Sequence, residues 1–190
     1  MPAGTYAELI ALAADAGVPT LLDASGQALI LGAAAGPEIV KPNLAELHAV
    51  AARGPVPNGD HPASADASQQ WCCSAVAMAA TSAGSLRDAG ACAVVVTLGS
   101  DGLLALTAEE GWHARPQEVS GGNPTGAGDA AAAGLAHGLA TGWPWRDRVT
   151  HAAALGAAAV SAPVAGDLDL SDYHRALAGV QVGAARQPWH

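Results

Sequence analysis

The sequence predicts an α/β protein in which helices cover both faces of a mostly parallel sheet, in three layers. Stretches of helical composition alternate with short apolar stretches typical of strands, an order that favours parallel strands joined by helices. Three apolar stretches end at Asp23, Asn43 and Gly99, where the carboxyl ends of parallel strands would share one crevice. The length of 190 residues suits a single domain over residues 1–190.

The first half of the chain is predicted to form four helices and two strands around an irregular stretch over 54–70. That stretch is rich in Pro, Gly, Ser and Asp, which is typical of a surface loop. Asp23 follows a predicted strand, where it either borders a metal or substrate or caps the next helix. The strands are expected over 19–23 and 39–40, and the helices over 6–16, over 27–35, after Asn43 and near 74–88.

The second half is predicted to contain a hairpin followed by helices. Asp101-Gly102 is a two-residue turn signal between two apolar stretches, which favours an antiparallel pair. The strands are expected over 93–98, 103–107 and 112–116, and the helices from near Gly126, from near Pro144 and over 171–178.

Composition narrows the class of protein. The net charge of −9 and the absence of a basic patch argue against nucleic acid as a partner. No apolar run reaches the roughly 18 to 20 residues that a membrane span requires, and the start of the chain lacks the basic region of a signal peptide. Cys72, Cys73 and Cys92 have no metal-site spacing, so we expect reduced core residues. We therefore expect a cytoplasmic protein that neither binds nucleic acid nor spans a membrane.

The most informative stretch is GGNPTGAGDAAAAGLA, residues 121–136. Pro124 and the preceding glycines oppose regular structure, so Gly126, Ala127 and Gly128 should form the turn into an alanine-rich helix. Unpaired backbone N–H groups and a partial positive charge at a helix start bind anions. Asp129 beside such a site could accept the proton of a hydroxyl that attacks a bound phosphate. Alternatively, Asp129 only complements the helix dipole.

This stretch resembles the second signature of the ribokinase-like (PfkB) carbohydrate kinases, in which Asn or Asp precedes Gly-Ala-Gly-Asp. Asn123 and Gly134 also stand where that signature places them. The resemblance implies a ribokinase-like fold and transfer of phosphate from ATP to a hydroxyl of a sugar or sugar phosphate. It implies Asp129 as the catalytic base and 126–128 as the anion hole.

A second segment, IVKPNLAE over 39–46, resembles the Asn-x-x-Glu motif of the same family. The resemblance implies that Asn43 and Glu46 hold Mg²⁺, largely through water, near the nucleotide phosphates. Mg²⁺ keeps several waters and takes few carboxylates, so the residue types suit it. The same spacing is also that of a capping box. Lys41 is the only lysine in the chain, which suggests a compact charge near phosphate.

A third segment, AVVVTLGSDGLLAL over 93–106, carries the predicted hairpin. In the family the equivalent strand end and turn line the ATP site. The resemblance therefore implies nucleotide contacts from Thr97, Gly99, Ser100 and Gly102.

The resemblance extends over residues 2 to about 172, but only over the C-terminal part of a typical family member. We therefore expect a chain truncated at its N-terminus, without the β-lid and most of the sugar site, and with impaired activity. Within the family, NPTGAGD together with PVAGD at 163–167 looks closest to the 1-phosphofructokinase and tagatose-6-phosphate kinase branch. The strand at 19–23 would then be a sheet edge through which the chain dimerises or aggregates.

Two other functions compete with the kinase interpretation. The first is a nucleotide-binding or interaction module without catalysis. The second is a dinucleotide-binding oxidoreductase, because Gly126-x-Gly128-x-x-Ala131 imitates the Rossmann fingerprint. That fingerprint directly follows a strand, whereas Pro124 precedes this one.

Overall fold

The computed structural model describes residues 2–51, 67–119, 121–164 and 166–185, and within them seven α-helices and six strands. The helices are α1 (Thr5–Asp15), α2 (Gly26–Ala34), α3 (Leu44–Ala51), α4 (Ala67–Ala89), α5 (Ala127–Ala140), α6 (Trp145–Ser161) and α7 (Leu170–Gly179). The strands are β1 (Leu21–Leu22), β2 (Ile39–Val40), β3 (Val94–Thr97), β4 (Leu103–Leu106), β5 (Gly111–Arg115) and β6 (Gln181–Ala184). The predicted α/β class is confirmed.

The six strands form one mixed sheet in the order β1-β2-β3-β4-β5-β6. β1, β2 and β3 run parallel, with Leu21 opposite Ile39 and Val40 opposite Val94. The pairs β3–β4, β4–β5 and β5–β6 are antiparallel. The expectation of a mostly parallel sheet is therefore wrong for the second half. The loops over 98–102 and 107–110 are too short for a crossover, so each of them reverses the chain.

Side chains that alternate along the strands fill two cores, one on each face of the sheet. Leu22, Val40 and Val94 pack in the core on the side of α1 to α4. Ile39 and Val95 point the other way and pack with residues of α5 and α6. The predicted three-layer arrangement is confirmed, and the start of α5 lies on the same side of the sheet as Ile39.

The predicted elements are present, and three details differ. α4 begins at Ala67, inside the stretch expected to be irregular, and residues 52–66 lie outside the described residues. The β3–β4 turn is a five-residue loop over 98–102 that contains a 3₁₀ turn at Gly99–Asp101, not a two-residue turn at Asp101-Gly102. β6 was not predicted, because its sequence QVGA holds one β-branched residue and its side chains are largely exposed.

The sequence predicted core positions for the cysteines and no segment that spans a membrane. Cys92 carries a free and exposed thiol, so its predicted core position is wrong. The side chains of Cys72 and Cys73 lie outside the described part of the chain. None of the helices in the described ranges combines the length and apolar character needed to cross a bilayer.

A polar and aromatic cluster joins the α5–α6 loop, α6 and α7. The hydroxyl of Tyr173 lies 2.5 Å from Nδ1 of His151, whose ring is stacked at a tilt 4.5 Å from that of Trp143. Arg148 Nε donates to the Trp143 carbonyl at 2.6 Å. Burial raises the pKa of the Tyr173 phenol and lowers the pKa of the Arg148 guanidinium.

Candidate active site

A cavity of about 930 Å³ opens at the carboxyl ends of the three parallel strands. Its wall brings together the residues that follow β1 and β2, the β3–β4 hairpin and the start of α5. All of the residues that the sequence predicted for catalysis, nucleotide or metal line it, together with Asp23: Asp23, Lys41, Asn43, Glu46, Thr97, Gly99, Ser100, Gly102, Gly126, Ala127, Gly128 and Asp129.

The start of α5 leaves backbone donors directed at this cavity. Gly126 is the N-cap residue with φ of 88°, a left-handed conformation that glycine adopts without strain. The Ala127 N–H donates to the Pro124 carbonyl, and the Ala130 N–H donates to the Gly126 carbonyl. Among the described residues, no acceptor takes a hydrogen bond from the N–H groups of Gly128 and Asp129. These two N–H groups remain available for an anion.

Asn123 fixes the loop that leads into α5. Its side-chain oxygen accepts a hydrogen bond from the Thr125 N–H at 3.0 Å, and its own N–H donates to the Val160 carbonyl at 2.9 Å. The neighbouring Gly122 lies so close to α6 that an added Cβ would stand 2.1 Å from the Val160 oxygen. The loop is therefore held against the C-terminal part of α6.

Lys41 places a buried ammonium beside the start of α5. The residue is 4% exposed, and its Nζ lies 3.0 Å from Oδ2 of Asp23. A Cβ built on Gly128 would lie 3.8 Å from that Nζ. The positive charge thus adds to the partial charge of the helix start.

Asn43 and Glu46 form the capping box that their spacing allowed. The Asn43 N–H donates to Glu46 Oε2 at 2.8 Å, and the Glu46 N–H donates to Asn43 Oδ1 at 2.9 Å. Asn43 also forms an isolated parallel bridge with Thr97. Their role in metal binding stays a prediction, and both residues line the cavity.

The β3–β4 loop supplies the facing wall, and one of its glycines is required by its surroundings. Gly102 has φ of 86°, and an added Cβ would stand 2.0 Å from the Ala114 oxygen. Gly99 has φ of 62°, with nothing within 4 Å of its Cβ position. The close approach of β5 therefore accounts for Gly102 as glycine, and contact with nucleotide stays a prediction for both.

The sequence also places the chain in a known protein family. The sequence model of the pfkB family carbohydrate kinases matches residues 1–171. The chain belongs to this family. It is 36% identical over 143 residues to 1-phosphofructokinase from Xanthomonas campestris pv. campestris, covering 73% of this chain and 39% of that protein. It is 29% identical over 142 residues to tagatose-6-phosphate kinase from Staphylococcus epidermidis, covering 70% and 38%.

Solved structures of family members share the fold. Crystal structures of phosphofructokinase-2 from Escherichia coli are 26% identical to the chain and cover 94% of it and 52% of their own length. The TM-score is 0.75 for the complex with potassium and 0.71 for the tetrameric inhibited form. The pfkB-family chain thus spans about 39% of the length of the curated relative from Xanthomonas and about half of this solved one.

The apolar wall of this cavity was not predicted from the sequence. α6 contributes a face of small residues, and the loop after β5 contributes residues 116–119. The alanine and glycine spacing of α6 was the signal, but it also suits close helix packing, which Gly134 of α5 uses against Ala152. The lining residues on α6 are Ala152, Ala153, Gly156, Ala157 and Val160.

The order of strands and helices contradicts the oxidoreductase interpretation. β5 ends at Arg115 and α5 begins at Ala127, so the glycines at 126–128 do not directly follow a strand as a Rossmann fingerprint does.

Proposed function

We propose that the chain forms the nucleotide site and catalytic base of an ATP-dependent phosphotransferase that acts on a hydroxyl of a sugar or sugar phosphate. The observation that carries the proposal is the convergence of Asp129, the α5 start and Lys41 on one cavity. A base, an anion hole and a fixed cation are the groups that phosphoryl transfer requires, because catalysis there is mostly positioning and charge stabilisation.

The proposed roles follow from what each group can do chemically. Asp129 is exposed in the first turn of α5, where its carboxylate can take the proton of an acceptor hydroxyl. In the anion hole predicted at 126–128, the free N–H group of Gly128, together with that of Asp129, donates to the oxygens of the transferred phosphoryl group as negative charge develops there. Lys41 contributes a full positive charge within reach of the same position.

The residues present also suit ATP and Mg²⁺. Gly128 leaves the space next to Lys41 Nζ that a side chain would fill, which suits a phosphate oxygen. Asn43 and Glu46 offer an amide and a carboxylate oxygen at the cavity wall, the hard ligands that a hydrated Mg²⁺ accepts. When bound, Mg²⁺ would neutralise phosphate charge. Because ATP is the donor, we expect the reaction to run in the cytoplasm.

We propose a hexose phosphate as the acceptor. Two relatives named above, a 1-phosphofructokinase and a tagatose-6-phosphate kinase, act by name on such sugars.

The test measures nucleotide binding and phosphoryl transfer separately. Calorimetric titration should detect Mg-ATP binding by the folded chain. Transfer should then be followed by phosphorus NMR at protein concentrations near that of ATP, with fructose 1-phosphate, fructose 6-phosphate and tagatose 6-phosphate as acceptors. Asp129→Asn is the matched control and should bind Mg-ATP without transfer. Absence of Mg-ATP binding would contradict the proposal, and binding without transfer to any acceptor would favour a nucleotide-binding module instead.

We also propose that the chain associates with itself through β1. The Thr20 and Leu22 carbonyls accept from the N–H groups of Ile39 and Lys41 in and after β2. Since alternate residues of a strand point opposite ways, the N–H and C=O of Leu21 face the outer edge, where no described strand pairs with them. The inhibited form of E. coli phosphofructokinase-2 is a tetramer. Light scattering should show a dimer or larger species, with slower hydrogen exchange at Leu21 as concentration rises, whereas a monomer at all concentrations would rule this out.

A further inference from the structure

The register of the parallel strands places Asp23 beside Lys41. Leu21 pairs with Ile39 and Leu22 pairs with Val40, so Asp23 and Lys41 are the next residues along two neighbouring strands. Leu21 and Ile39 pack on the side of α5 and α6. Because side chains alternate, Asp23 and Lys41 point to that same side, toward the start of α5.

The contacts of Asp23 contradict the interpretation that it caps α2, whereas its place in the cavity wall leaves a metal or substrate neighbour as a prediction. The N-cap residue of α2 is Ser25. Among the described residues, the Asp23 carboxylate accepts no hydrogen bond from the N–H groups at the start of α2. Instead, its carboxylate pairs with the Lys41 ammonium at 3.0 Å. The Lys41 side chain is 5% exposed, whereas that of Asp23 is 37% exposed. The lysine is thus the buried member and the aspartate is the member that water reaches.

We propose that Asp23 is a positioning residue, which holds the Lys41 ammonium against the start of α5 so that it meets the nucleotide phosphates. The inference rests on the proposed function. A lysine side chain has four rotatable bonds, and a buried ammonium needs a partner or it moves to water. Asp23 provides that partner from the neighbouring strand, and the ammonium is fixed 3.8 Å from the Cβ position of Gly128.

The proposal predicts that loss of the Asp23 carboxylate changes the affinity for Mg-ATP in the direction opposite to its direct electrostatic effect. A carboxylate near a phosphate repels it, so its removal alone should tighten anion binding. If Asp23 acts by fixing Lys41, its removal should weaken binding, and only while Lys41 is present. A double-mutant cycle separates these two effects.

The cycle uses the wild type, Asp23→Asn, Lys41→Met and the double variant, with Mg-ATP titrated calorimetrically into each folded protein. Lys41→Met should weaken binding about 10- to 100-fold, the range expected for one charge-assisted hydrogen bond. Asp23→Asn should weaken binding about 3- to 10-fold, a part of that loss. In the Lys41→Met background, Asp23→Asn should leave affinity unchanged or raise it. Unchanged or tighter binding of Asp23→Asn in the Lys41 background would overturn the proposal.

A second measurement does not depend on nucleotide. Lys41 is the only lysine in the chain, so reductive methylation with ¹³C-formaldehyde reports this ammonium and the N-terminal amine alone. Lys41 in the wild type should react slowly, and Asp23→Asn should speed its reaction several-fold, while the N-terminal amine serves as internal control. An equal Lys41 rate in both proteins would refute the positioning role. Failure of wild-type Mg-ATP binding with the rate difference intact would instead refute the proposed function alone.

Discussion

Substitution of Gly128 by alanine adds one methyl group, which should affect phosphate binding without disturbing the fold. Gly128 is the second residue of α5 and lines the cavity. The methyl carbon of an alanine there would lie 3.8 Å from Lys41 Nζ, which is ordinary van der Waals contact. We expect Gly128→Ala to fold like the wild type and to gain up to about 1 kcal/mol in free energy of unfolding, because alanine favours a helical backbone over glycine.

The same methyl group should weaken phosphate binding. It would occupy the space between the Lys41 ammonium and the free N–H of Gly128, where a phosphate oxygen would accept from both. Loss of one hydrogen bond to a charged group costs about 1.5–3 kcal/mol. Since about 1.4 kcal/mol corresponds to a tenfold change, the affinity for Mg-ATP should fall about 10- to 100-fold.

Calorimetric titration with Mg-ATP and urea denaturation test both halves of this prediction. The matched control is Gly4→Ala at the N-cap of α1, where φ is −82° and nothing lies within 4 Å of the Cβ position. The control should keep wild-type affinity. A Gly128→Ala protein that is stable and binds Mg-ATP as tightly as the wild type would refute the assignment of this space to phosphate.

Three further perturbations test other parts of the structure. Asp129→Asn should lower turnover about 10²- to 10⁴-fold with Mg-ATP affinity nearly unchanged, and near-wild-type transfer rates would eliminate it as the base. Gly102→Ala should lose about 2–5 kcal/mol of unfolding free energy through its left-handed backbone and the clash with Ala114, whereas Gly99→Ala, without the clash, should lose about 1–2 kcal/mol. Burial raises the pKa of the Tyr173 phenol in the folded protein above its ordinary value of about 10. The stability linked to this shift is therefore fully present below about pH 10 and is lost as the pH rises above that value. Tyr173→Phe should flatten that alkaline loss in denaturation curves, and an unchanged slope would contradict the assignment.

The positions of the site residues could be predicted because each stands at the end of an apolar strand or the start of a helix. Asn43 follows β2, Gly99 follows β3, and Asp129 lies in the first turn of α5. In a sheet whose first strands are parallel, such ends meet in one crevice. Local sequence therefore sufficed to predict that Asp23, Asn43 and Gly99 share one crevice, and the capping box at Asn43 followed from the same local spacing. The nucleotide contacts expected in the β3–β4 loop came from the family resemblance.

Features that depend on long-range packing could not be predicted in the same way. The requirement for glycine at position 102 depends on the approach of Ala114 from β5, which no local pattern encodes. β6 gains its place by pairing with β5, not from its own composition. The Asp23–Lys41 pair required the register between β1 and β2, and a shift of one residue would point one side chain of the pair to the other face.

The charges of the cavity wall explain why the site depends on backbone groups and a single lysine. Among its lining residues, four carboxylates face one ammonium: Asp23, Glu46, Glu118 and Asp129 against Lys41. The chain as a whole carries −9, so no long-range field draws an anion in. Binding of a polyphosphate must then come from short-range donors at the α5 start, from the fixed ammonium, and from a cation that arrives with the nucleotide. A displacement of Lys41 would leave the wall without an ammonium, because none of the other lining residues in the described part of the chain is basic. For this reason the single salt bridge to Asp23 matters more here than a typical surface pair would.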